Sequence, residues 1–139
     1  MTPDNPIVER MWEQDQASRS LGMVLRQAGD GAARIAMTVR DDMINGWDIC
    51  HGGIIAALAD SAFAVACNSR GVVTVASGFD VDFLHSAAAG DVLVACASER
   101  SKRGRSGIYD VTVIREGDDR TIAEFRGRSR EMSRPNEAR

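Results

Sequence analysis

Cysteine is scarce in this 139-residue chain, and its three copies, Cys50, Cys67 and Cys96, form neither an even set nor a Cys-x-x-Cys pair. A disulfide framework and a zinc ligand set both lack support, and reduced thiols are expected. An excess of charge of one sign is also missing. The net charge of −3 comes from 17 basic and 20 acidic residues interspersed along the chain, so neither nucleic acid nor membrane is expected as a partner. Long apolar runs are absent as well: the longest good one, Ile54 to Ala59, falls far short of the roughly 18 residues a membrane helix needs. The opening "MTPDNPIVERMWEQDQ" lacks the basic start and apolar stretch of a secretory signal. A cytoplasmic protein is the expectation. There is no P-loop, no Gly-x-Gly-x-x-Gly, no Gly-x-Ser-x-Gly elbow and no metal-ligand spacing, so metal sites and α/β-hydrolase chemistry are not expected.

What is present is 44% hydrophobic residues in a chain of one-domain length, which predicts a single core over residues 1–139. Residues 5–20 place Ile7, Val8, Met11 and Trp12 at helical spacing, and residues 23–40 carry a Gly-Asp-Gly turn between two strand-like runs. Residues 41–51 have the composition of a loop. From Gly52 to about Ser69, Ile54, Leu58, Ala62, Val65 and Ala66 recur every three or four positions, which predicts a long central helix whose alanines admit another backbone closely. Period-two runs follow around 76–84, 91–100, 107–116 and 120–129. They read as four consecutive strands of a meander. The expected fold class is α+β, a curved antiparallel sheet wrapped around the central helix, with a frayed tail over about 132–139.

The segment "CHGGIIAALAD", residues 50–60, puts a carboxylate into an alanine-rich helix. Burial of Asp60 requires either partners or a raised pKa, and both suit a catalyst; a wet strip of the helix or a capping role accounts for it equally well. Gly52 and Gly53 stand at the helix entry, where free N–H groups and the helix dipole can receive an oxyanion, or where two glycines merely ease a tight turn. Asn45 and His51 add polar side chains to the same loop, as ligand contacts or as loop structure. Lys102, Arg103 and Arg105 in "SKRGRSG", with Arg70 in "NSRG", are candidates for substrate phosphates or simply a solvated turn.

Spacing sharpens the first of these groups. Gly52 and Asp60 are eight residues apart, about 12 Å along a helix at about 1.5 Å per residue, whereas a reacting carbonyl needs its oxyanion donor within about 3 Å. One chain cannot bring both to the same carbonyl. Two antiparallel copies can, each presenting Gly52 to the partner's Asp60.

At these residues the chain resembles the hotdog-fold acyl-CoA thioesterases of the phenylacetic acid degradation type. The likeness runs through "NGWDICHGGIIAALADSAFAVACNSRG" at 45–71 and "VASGFDVDFL" at 75–84, with "GIYDV" and "FRGRS" beyond. It implies hydrolysis of aryl-acetyl-CoA (phenylacetyl- or hydroxyphenylacetyl-CoA) to free acid and CoA, in a homodimer with composite sites that usually pairs into a homotetramer. Asp60 would be base or nucleophile, the Gly52 amide the oxyanion donor, and Asn45 and His51 supports for the thioester end. Gly53, Asn68, Arg70, Lys102, Arg103 and Arg105 would meet the substrate and its CoA. No cofactor is implied beyond CoA as part of substrate and product. Gln14 and His85-Ser86 depart from the pattern, where Asn and Arg-Pro are common. Two other readings use the same fold: a non-catalytic acyl-CoA binding module, and a dehydratase or hydratase using a His/Asp pair.

Overall fold

The computed structural model describes residues 5–132. Helices α1 (Pro6–Gln14) and α2 (Gln16–Ser20) lead into strands β1 (Val24–Gly29) and β2 (Ala32–Thr38). A 3-10 turn (Asp41–Met43) precedes helix α3 (Gly52–Asn68), and strands β3 (Thr74–Phe83), β4 (Val92–Arg103), β5 (Ser106–Arg115) and β6 (Arg120–Glu131) follow. The single helix expected over 5–20 is two. Asp15 adopts an extended backbone between them, and its side chain accepts from the Ser18 N–H, so it caps α2 while ending α1.

The β1–β2 hairpin turns on Asp30 and Gly31, both with positive φ (53° and 77°), the conformation of a tight turn whose twist matches that of the flanking strands. β4, β5 and β6 form the antiparallel meander read from the sequence, but β3 does not join it as neighbour of β4. β3 pairs with β6, and β4 pairs with β2, giving the order β1-β2-β4-β5-β6-β3. The period-two signal located the strands and said nothing about their partners.

The expected curved sheet wrapped around the helix is corrected too. The six strands form one open sheet with β1 and β3 as free edges, since no ladder joins them among the described residues, and without edge pairing a sheet is not closed. The fold is α+β and hotdog-like, with α3 lying on one face of a sheet that is neither closed nor strongly curled. Packing decides which side of α3 is covered. Leu58, Ala59, Ala62, Phe63 and Ala66 are buried on the sheet, whereas Ala57, Asp60, Ser61 and Ala64 form a half-exposed strip. Phe63 sits at the centre, its ring 5.7 Å from Tyr109 and 5.8 Å from Phe125. A Cβ on Gly127 would lie 2.8 Å from that ring, so the strand is bare where the aromatic seats. Truncating Phe63 to Ala would cost about 3–5 kcal/mol.

The end of α3 is tied to β3 by Asn68. Its Nδ2 donates to the Ala64 and Thr74 carbonyls at 2.8 and 2.9 Å, and its Oδ1 accepts from the Thr74 N–H at 2.9 Å. The tail expected over 132–139 lies outside the described residues except for Met132, whose N–H donates to the Val73 carbonyl at 2.8 Å. Among the described residues, no helix is long and apolar enough to cross a membrane.

Candidate functional site

The loop into α3 is built by short-range bonds that the polar residues supply. Asn45 Oδ1 accepts from the N–H groups of Trp47 at 2.8 Å and Ile49 at 3.3 Å, which folds the loop tip. His51 is the N-cap of α3, its Nδ1 accepting from the Gly53 N–H at 3.1 Å; the ring proton therefore resides on Nε2. His51 and Gly53 spend these groups on each other. Gly52 is different: it occupies the first helical position, where an amide has no acceptor within the helix.

Gly52 opens into a pocket of about 360 Å³ that also meets Asn45, Cys50, Phe83, His85 and Ser86. The Phe83 ring packs so near that a Cβ on Gly52 would lie 3.1 Å from it. Burial pushes the Cys50 thiol up, so it contributes to the wall and not as a thiolate. His51 and Gly53 face a separate depression beside Asp42 and Ile54. The two glycines expected to work together therefore open to different spaces.

Asp60 lies in a third cavity, of about 190 Å³, between α2 and α3, beside Asp15, Ser18, Leu21, Met23 and Ser61. Burial raises its pKa above the ordinary carboxylate value, and the nearby charge of Asp15 adds to that rise; among the described residues no cation offsets either. A half-buried carboxylate of this kind is suited to proton transfer or attack.

The other expected contacts divide. Asn68 is buried at 4% exposure with its amide committed to the α3–β3 junction, so the expectation of a substrate contact there is corrected: it presents no free group. Arg70 pairs with Glu99 at 3.1 Å, and Lys102 with Glu131 at 2.7 Å; Arg105 donates to the Glu131 carbonyl at 3.3 Å. Arg103 lines a pocket of about 360 Å³ with Ser77, Ser101, Ser106 and Arg128. Sequence reasoning missed Arg128, which strand pairing brings there, and missed Asp15, Ser18 and Ser61. The N-cap spacing of Asp15 and Ser18 was a visible signal, but nothing in the chain order told which helix they would face.

The thioesterase superfamily matches residues 48–122, the stretch from the helix entry through Asp60 to the start of β6. The chain belongs to the thioesterase superfamily. It is 42% identical over 119 residues to the acyl-coenzyme A thioesterase PaaI of Escherichia coli K12, covering 86% of this chain and 84% of that one. The solved structure of the E. coli PaaI protein from the phenylacetic acid degradation operon superposes with a TM-score of 0.89 at 39% identity, covering 92% of each chain. A mutant of the phenylacetic acid degradation protein PaaI from Thermus thermophilus is 34% identical with a TM-score of 0.79, over 84% of this chain and 98% of that one. Membership makes the protein a thioester hydrolase, which selects the enzyme among the three readings of the sequence.

Proposed function

We propose that this thioesterase hydrolyses acyl-CoA thioesters, with aryl-acetyl groups such as phenylacetyl as substrates, in a site shared by two copies of the chain. The observation that carries the reading is the separation of its two halves: Gly52 and Asp60 open into different cavities, about 12 Å apart along α3 at about 1.5 Å per residue. A second copy resolves the separation. The half-exposed strip with Ala57 and Ala64 flanking Asp60 allows close approach, and β3 is a ten-residue edge strand with Val75, Phe79 and Phe83 40–49% exposed. Such an edge is a template for pairing with another strand, and pairing β3 with its own copy brings the Phe83 wall beside Gly52 to the interface.

In this arrangement the thioester carbonyl accepts from the Gly52 N–H of one chain, a bond that strengthens as charge develops on the oxygen. Asp60 of the other chain drives attack on the carbonyl carbon, by taking a proton from water or by forming a mixed anhydride, and CoA leaves as the thiolate. The acyl group occupies the cavity beside Asp60, and Arg103 and Arg128 receive phosphate charge. A dimer of dimers is the proposed assembly. Thiol release from short, long and aryl acyl-CoAs tests the substrate class, and an enzyme inactive on every acyl-CoA would overturn it. Single-turnover hydrolysis in ¹⁸O-water separates the two routes, since label enters the Asp60 carboxylate only through the anhydride.

A further inference from the structure

The break between α1 and α2 falls on a charged residue, and that residue faces the carboxylate that drives the reaction. Asp15 leaves the helical region, with φ −80° and ψ 90°, to end α1 and cap α2. Its carboxylate is held at both oxygens: Oδ1 accepts from the Ser18 N–H at 2.9 Å and Oδ2 from the Ser18 hydroxyl at 2.7 Å. Ser18 is itself buried at 3% exposure, and its Oγ lies 2.7 Å from Ser61 Oγ. The turn that carries Asp15 is thereby anchored to the helix that carries Asp60. The result is a negative charge pinned in the wall of the cavity, of about 190 Å³, into which Asp60 opens.

Nothing else in that wall offsets the charge. A hydroxyl carries one proton; that of Ser18 goes to Asp15, so the bond between the serines runs from Ser61 to Ser18 and leaves Ser61 no proton for Asp60. The side chains of Leu21, Met23, Ala57 and Ala64 bring neither charge nor donor, and the exposed Arg19 of α2 does not line the cavity. Cys67, about two turns further along α3, also feels Asp60, but burial pushes its thiol up to about 12, so it stays neutral. Asp15 is thus the charge that Asp60 faces among the described residues. From this geometry we propose that Asp15 is a positioning residue that works through Asp60: its pinned charge sets the pH below which hydrolysis fades and keeps Asp60 a strong base or nucleophile above it. The physical reason is that a second negative charge penalises loss of the proton, while the power to drive attack rises with basicity. The electrostatics agree in direction, since burial raises the Asp60 pKa and the Asp15 charge adds to that rise. The inference rests on the acyl-CoA hydrolase reading above and adds to it what tunes the reacting carboxylate.

The test is the pH profile of kcat/KM for phenylacetyl-CoA, by thiol release, in the native enzyme and in Asp15→Asn and Asp15→Ser. Asparagine and serine both serve as N-caps, so α2 keeps its start while the charge is removed. The acid limb of such a profile reports the essential base of the free enzyme. Without the Asp15 charge, Asp60 releases its proton more readily and the limb moves to lower pH. At the pH where native activity has fallen to a tenth of its plateau, each variant should retain about two to five times as large a share of its own plateau, the factor expected of a charge–charge interaction at a half-exposed site. His85, which lines the Gly52 pocket, is common to all three proteins, so the difference between their profiles belongs to Asp15. A limb that stays in place or moves up in either variant overturns the inference and leaves the hydrolase reading standing; a merely structural cap gives that outcome, because it lowers the rate alike at every pH. If the native enzyme hydrolyses no acyl-CoA, the reading underneath falls, and this inference with it.

Discussion

Replacing Asp60 by Asn should move activity and stability in opposite directions. In the native protein the carboxylate is held in a cavity where burial and the neighbouring Asp15 both disfavour its charge, with no compensating cation among the described residues. Asparagine keeps the size and removes the charge. Loss of the group that drives attack should lower kcat by about 10²–10⁴, while relief of an unfavourable half-buried charge should raise stability at pH 7–8 by about 1 kcal/mol, within the usual range for such changes. For a chain of this length that is a rise in Tm of about 3–5 °C. The pH dependence follows from the direction of the shift. Because Asp60 has its pKa raised by folding, the native state holds the proton at pH values where the unfolded chain has released it. The stability this gives is fully present below the unfolded carboxylate value, about pH 4, and is lost as pH rises through the folded value. The advantage of Asp60→Asn should therefore be full at pH 8 and close as the pH falls toward 4. Thermal unfolding across that range, with thiol release at pH 8, reads both effects. A variant less stable than native at pH 8, a gap that widens on acidification, or unchanged hydrolysis would refute the reasoning.

Mixing inactive Asp60→Asn chains with inactive Gly52→Pro chains in equal amounts should restore about a quarter of native activity, because half of the random dimers are mixed and each holds one intact site; a mixture as dead as its components would place both groups within one chain. Asn68→Ala should destabilise the fold by about 2–3 kcal/mol in chemical denaturation, since it strips buried donors and acceptors at the α3–β3 junction, with kcat/KM per folded molecule unaltered. Burial pushes the Cys67 thiol up to about 12 and raises that of Cys50, so a thiol reagent at pH 8 should label the half-exposed Cys96 first and reach the other two only on unfolding. Early labelling of Cys67, read by mass spectrometry, would contradict its burial on the covered side of α3.

The sequence by itself determined the strands, the central helix and the separation of the two chemical groups. Alternation located β3 to β6, a Gly-Asp-Gly turn between strand-like runs located β1 and β2, the apolar spacing after His51 located α3 to within a residue, and the eight-residue interval between Gly52 and Asp60 set their distance as soon as both lay on one helix. These are local properties of a chain with fixed rise and period. Tertiary structure decided what depends on partners distant in sequence. It sent β3 to the far edge beside β6 and left the sheet open, because strand pattern fixes which face is apolar and not which edge is paired. It turned Asn68 inward to join α3 to β3, and it engaged Arg70 and Lys102 with acids on β4 and β6. It also brought the α2 cap, Asp15 and Ser18, against Ser61 at a separation of 43 residues, and so gave the cavity beside Asp60 a polarity that no local pattern carries.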